Sequence, residues 1–233
     1  MKLAIMQPYF FPYLGYFQLI IAVDKFIFYD DVNFIKKGWV NRNRIITNNL
    51  VNNINLGLIK ASQNKKINEI NIITDDLNKT LKTIQHSYSK APFFKEVYPM
   101  IENYFLSLTP NMLLSEATAN SILKVCQYLG ISKSFEYSSE KYPHTRGMER
   151  GDRLMAICHE NSADNYINPL GGTELYNKEV FKDNKIVLQF LKPKLEIYQQ
   201  WGGDFIPGLS IIDVLMFNSK TDVNRMLNYY DLL

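Results

Sequence analysis

Two adjacent carboxylates, Asp30 and Asp31, close the apolar run "KFIFYDDV". Carboxylates placed this way can accept a proton, ligate a cation or hold the hydroxyls of a sugar or ribose. His86, in "QHSYSKAPFF", is the side chain best suited to shuttle a proton at neutral pH. "GWVNRNRI" puts an aromatic face, Trp39, beside alternating donors. Asn41 and Asn43 fall on one face of an extended segment, and Arg42 and Arg44 on the other. An arginine fork suits a phosphate or carboxylate. Asp152 and Arg153 stand in "RGDRL", where Asp152 can cap a helix. Gly171 and Gly172 follow an apolar run and offer backbone amides to an anion. Ser210 and Asp213 have the spacing of a capping box. No GxSxG, GxGxxG or P-loop is present, so a serine hydrolase or nucleotide-binding signature is unsupported.

These residues need elements to position them. "KLAIMQ" reads as a buried strand, and Pro8 and Pro12 forbid helix through the following loop. "GYFQLIIAVD" has helical spacing, and "KFIFYDDV" is again strand-like. Strand, loop, helix and strand make a βαβ unit with parallel strands. The loop residues Gln7, Pro8, Tyr9, Gly15 and Tyr16 then lie at the carboxyl end of the first strand, and Asp30 and Asp31 at that of the second. Ligands of open parallel sheets bind at those ends. Because neighbouring strand residues face opposite ways, only one of the two aspartates is expected to face a given site.

Residues 38–59, "GWVNRNRIITNNLVNNINLGLI", read as extended structure broken by turns with "TNN" a hairpin candidate, "KINEINIIT" and "SKSFEYSSE" as strands, and residues 76–130 as mostly helical. Strand and helix alternate again through "DNYINP", "NKEVFKDN" and "KIVLQFLKP", and "LSIIDVLMFNS" and "DVNRMLNYYDLL" read as terminal helices. The expected architecture is α/β: one domain over residues 1–233, a mainly parallel, Rossmann-like sheet with helices on both faces, and a helical insertion or cap around 76–130.

A net charge of +3 without basic clusters argues against nucleic acid. Cys126 and Cys158 have no partner at metal-ligand spacing, so no metal site is expected, and both read as buried thiols of a reducing compartment. Gln7, Pro8 and Pro12 interrupt the N-terminal apolar run, and no uninterrupted span of membrane length follows. A cytoplasmic protein is expected. Aromatics make up 13% of the chain, suggesting a pocket lined by tyrosines.

"MQPYFFPYLGYFQLI", "DKFIFYDDVNFIKKGWVNRNRI", "IQHSYSKAPFF", "GDRLMAIC" and "FIPGLSIIDVLMFN" occur in an order that resembles the WbqC-like family. Members of that family are encoded in bacterial surface-polysaccharide clusters, including O-antigen loci. The resemblance extends to Gln7, Pro8, Tyr9, Gly15, Tyr16, Asp30, Asp31, Trp39, Asn41, Arg42, His86, Tyr88, Asp152 and Arg153. The polar residues in these motifs read as an enzyme of that pathway that transfers an acyl or aminoacyl group to a nucleotide-linked amino sugar. His86 would be its base, Asp30 or Asp31 would orient the amine, and a backbone amide near Gly15 would face the oxyanion. An acyl donor is the only co-reactant this calls for; the cofactor is not fixed by sequence. Two alternatives stay open. One is a sugar-nucleotide binding or assembly protein without turnover. The other is nucleotidyl transfer, although "GYFQ" stands where that chemistry would place histidines.

Overall fold

The computed structural model describes residues 1–233. In chain order the elements are β1 (Lys2–Met6), α1 (Leu14–Ala22), β2 (Lys25–Phe28), β3 (Arg42–Thr47), β4 (Leu50–Asn55), β5 (Gly57–Leu58), β6 (Ile72–Ile73), α2 (Leu77–Tyr88), α3 (Phe94–Ser107) and α4 (Leu114–Leu129). There follow β7 (Ser134–Tyr137), α5 (Ser138–Lys141), α6 (Arg150–Glu160), β8 (Asn165–Pro169), α7 (Lys178–Asp183), β9 (Val187–Pro193), α8 (Ile211–Phe217), α9 (Lys220–Leu227) and β10 (Tyr230–Leu232).

Six strands form the central sheet in the order β10-β9-β8-β1-β2-β7. All neighbours are parallel except β10, which runs antiparallel to β9. Strand alternation divides the sheet's side chains between two cores. Ala4, Phe26, Phe28, Ile167 and Leu191 enter the larger one, with α1 to α4, α8 and α9. Leu3, Ile5, Ile27, Tyr166, Leu188 and Phe190 enter the smaller, with α6 and α7. Helix α1 therefore covers one face on the way from β1 to β2, and α7 covers the other on the way from β8 to β9. With right-handed crossovers, opposite faces mean opposite directions of travel along the sheet. The direction reverses between β1 and β8, which opens a crevice at their carboxyl ends.

The helical stretch read at 76–130 is α2, α3 and α4, packed into the larger core. The β3–β4 hairpin turns at Asn48 and Asn49, whose φ values of 52° and 60° are the left-handed geometry a two-residue turn requires. Two readings need correction. "KINEINIIT" is a short 3-10 turn at Ile67–Glu69 followed by the two-residue β6. The terminal helix stops at Leu227, and Tyr230 and Leu232, spaced at the strand period, pack against the larger core as part of β10.

The aromatic loop after β1 is held by side chains distant in sequence. Phe10 and Phe11 are fully buried and pack on Tyr104 of α3, with Phe11 at 4.8 Å, edge to face. The Asn43 amide donates to the carbonyls of Phe10 (3.2 Å) and Phe11 (2.6 Å). Ser210 Oγ donates to Phe11 O (2.8 Å), and the Phe11 N–H donates to Ser121 Oγ (3.0 Å). Phe11 sits at φ 39°, an unfavourable conformation for a phenylalanine that these bonds hold in place. Half the loop is thus an anchor, which fixes Gln7 and Tyr9 at the sheet edge.

Candidate functional site

A cleft of about 670 Å³ opens at the carboxyl edge of the sheet, at the β1/β8 reversal. That volume is in the range of small-molecule sites. Gln7 and Tyr9 reach it from the end of β1, Tyr29 from the end of β2, and Asn168 and Pro169 from the end of β8. Gly171, Gly172 and Tyr176 follow β8, while Arg150 and Arg153 come from the first turns of α6.

Several of its polar groups lack protein partners. Asn168 is 7% exposed, and its side chain makes no hydrogen bond. Gln7 Oε1 is buried and accepts none. Arg150 is exposed, with no ion pair. Buried polar groups are seldom left unpaired, so Asn168 and Gln7 Oε1 are the groups here best placed to contact a ligand, with the exposed Arg150 beside them. Gly172 is required beside them, because a Cβ there would stand 2.2 Å from Asn168 Nδ2. Tyr29 presents an aromatic wall. Burial pushes its phenol up, and the nearby Arg153 partly opposes this, with its guanidinium 4.8 Å from the ring centre.

Arg153 is 5% exposed and is held by Asp31. Its Nη2 donates to Asp31 Oδ1 (2.9 Å) and Oδ2 (2.7 Å), and its Nε donates to Thr145 Oγ1 (3.0 Å). Arg146 Nε donates to Asp31 Oδ2 (2.8 Å), and Ser138 Oγ lies 2.6 Å from Oδ1. Burial raises the Asp31 carboxyl, but the bonds from Arg153, Ser138 and Arg146 and the Arg153 charge outweigh it and hold the group below its usual range. Asp31 thereby positions Arg153 against Tyr29.

Asp30 and Asp31 lie past the end of β2, where strand alternation no longer applies. Both carboxylates reach Ser138, at 3.1 Å and 2.6 Å. Asp30 also accepts from the Ser139 N–H (3.0 Å) and Ser139 Oγ (2.7 Å). Burial raises its pKa, with the serine bonds opposing and Asp31 adding to the rise. No three His, Cys, Asp or Glu side chains gather closely enough to hold a metal ion.

The remaining candidate residues are dispersed. Pro8 is buried in the loop. Gly15 and Tyr16 line a smaller cavity of about 40 Å³, which shares Met6, Tyr9 and Pro169 with the cleft. Tyr16 donates to Gln7 O (2.9 Å). Trp39, Arg42 and Arg44 form a separate stack, the guanidiniums 5.5 Å and 5.3 Å from the indole. Arg42 also donates to Gly38 O (3.0 Å) and Lys37 O, and Asn41 to Leu56 O (3.0 Å). His86 is exposed in the last turn of α2, without a partner, and lines neither cavity. Tyr88 is fully buried and donates to Asp213 Oδ2 (2.7 Å). Asp213 also accepts from Tyr198 (2.7 Å) and Gln200 (3.1 Å), and burial pushes its carboxyl up, these bonds opposing. Ser210 caps α8, but Asp213 turns to those phenols instead of closing a capping box. Asp152 is exposed in the first turn of α6 and makes no capping bond, since that helix begins at Arg150.

Sequence reasoning missed Tyr29, Arg150, Asn168 and Tyr176. Asn168 and Tyr29 were within reach, because they end β8 and β2 just as Gln7 follows β1. Arg150 shares "RGDRL" with Arg153, and Tyr176 carried no distinguishing signal.

An α/β protein with a ligand-sized cleft at the reversal point of a parallel sheet is the class that this geometry defines. The chain belongs to the WbqC-like protein family, whose model matches residues 7–225. It is 33% identical over 233 residues to an uncharacterized protein of Mycobacterium tuberculosis, an alignment covering 98% of each chain. No solved structure matches.

Proposed function

We propose that the protein is an enzyme of bacterial surface-polysaccharide biosynthesis that transfers an acyl or aminoacyl group to a nucleotide-linked amino sugar bound at the β1/β8 cleft. The observation that carries this reading is the unpaired Arg150 beside the Asp31-held Arg153, facing Tyr29 and Tyr176. Two guanidiniums suit a diphosphate, and the phenol rings suit a base or a sugar face. Gln7 Oε1 and the Asn168 amide supply directional contacts for hydroxyls. In the reaction, the sugar amine attacks the carbonyl of an activated acyl donor. The C–N bond forms, the donor's leaving group departs with its electron pair, and the amine loses a proton. His86 lines neither cavity and the cleft wall carries no histidine or carboxylate, so we assign that proton to the donor's departing group.

The bare wall also favours a second reading, in which the cleft binds a nucleotide sugar without turnover. Thermal unfolding with nucleotide-linked sugars tests both. A ligand at about 100 times its Kd adds roughly 2.7 kcal/mol, hence a rise of roughly 5–10 °C in a chain of this size. The rise should vanish in Arg150→Ala, an exposed residue whose loss leaves the fold intact. A rise with no product from any acyl donor favours the binding protein, and no rise with any nucleotide sugar refutes both.

A further inference from the structure

Beyond β2 and β7, on the same edge of the sheet, lies a second cleft of about 360 Å³. Its lining includes Asp30, Glu116 and Glu140 but no lysine, arginine or histidine. The Tyr137 phenol is pushed up to about 12, by burial first and then by those three carboxylates, so all three stand near it. Glu140 makes no hydrogen bond or ion pair, and Glu116 gives one oxygen to the Leu113 N–H at the start of α4 (3.2 Å).

Acidity alone would leave a solvated surface, but two further groups are unmet. Ser115 is 1% exposed and lines the cleft with a hydroxyl that has no partner. Asn68 Oδ1 is buried and accepts nothing. The cleft therefore presents acceptors and negative charge, with Ser115 able to accept as well. The carboxylates are too dispersed to share a metal ion. What matches such a lining is a compact cation with several N–H donors, and an ammonium supplies three.

We propose that this cleft binds the primary ammonium group of an organic ligand, drawn in by the charges of Glu116, Glu140 and Asp30 and donating to Asn68 Oδ1 and Ser115 Oγ. The ammonium can belong to an amino sugar or to an aminoacyl group. Its identity as a reactant rests on the function proposed above; its binding does not.

The test titrates the full chain with glucosamine and glycinamide, each beside its N-acetylated neutral counterpart, following amide chemical shifts. Saturable shifts centred on residues 115–120 and 137–140 are expected with the ammonium compounds only. The tighter binder names the source. Glu140→Gln should weaken binding about fivefold, the scale of one exposed charge contact. Glu116→Gln keeps an acceptor for Leu113 and should act similarly. Equal binding of the neutral counterparts, no saturable binding of either ammonium compound, or unchanged affinity in the doubly substituted protein overturns the proposal. The Arg150→Ala measurement reads the other cleft, so each idea can fail alone.

Discussion

Replacing Asp31 with asparagine isolates the support beneath the β1/β8 cleft. The aspartate is 3% exposed, and its two oxygens take Arg153 Nη2 twice, Arg146 Nε once and Ser138 Oγ once. Asparagine keeps one acceptor oxygen and turns N–H donors toward a guanidinium. Arg153, 5% exposed, is then left charged without a buried counter-charge, its hydrogen bonds reduced to Thr145 and the one amide oxygen. Removing one member of a buried pair costs about 3–5 kcal/mol, because the other charge stays uncompensated. Arg146 provides the internal comparison: its side chain is 41% exposed, so Arg146→Ala should cost no more than about 1 kcal/mol. Urea unfolding followed by the fluorescence of Trp39 and Trp201 measures both. Asp31→Asn should shift the midpoint strongly without changing the slope. A cost below about 1 kcal/mol, no greater than that of Arg146→Ala, would refute the assignment of Asp31 as the buried counter-charge of Arg153.

The same carboxylate sets an acid limb. Its folded pKa lies below the unfolded value of about 3.9, so its contribution is complete above that value and is lost as pH falls through the folded pKa. Wild-type and Asp31→Asn stabilities should therefore converge in acid, and a constant gap down to the folded pKa would contradict this. Gly172→Ala would drive a methyl into Asn168, costing about 1–3 kcal/mol if the site repacks. Nucleotide-sugar affinity should fall at least tenfold in isothermal titration, and unchanged affinity would remove Asn168 from the site.

The opening βαβ unit was legible because an apolar run, two prolines and a helical period follow one another within 28 residues. The carboxyl-edge rule places Gln7, Tyr9 and the aspartates at one edge, and the structure has them there at the ends of β1 and β2, with the aspartates outside the cleft that Gln7 and Tyr9 line. What lay beyond the sequence is long-range pairing. Nothing local to Asp31 points to Arg146 or Arg153, more than a hundred residues away, and both are needed to decide whether Asp31 reacts or supports. Phe10 and Phe11 look equivalent to Tyr9 in the aromatic loop until α3 is in place to bury them. Arg42 looks like a free anion ligand, yet the carbonyls of Gly38 and Lys37 in its own loop engage it. The β10 strand was hidden because a two-residue period over three residues is too short to compete with the helical pattern ahead of it.

The place of β1 also bears on how the chain is made. It is translated long before β8, yet it ends between β2 and β8, with Lys2 paired to Asn165. Once β1 and β2 have met, the other edge of β1 has no native neighbour until β8 is translated. At ordinary elongation rates that interval is roughly 7–30 s. Over that time an apolar strand, Leu3 to Met6, offers its backbone to any passing partner, the situation in which unpaired edges aggregate. Slow translation or crowding of nascent chains would thus threaten the yield of this protein more than its finished stability suggests, and a chaperone that shields β1 until β8 is made would restore it.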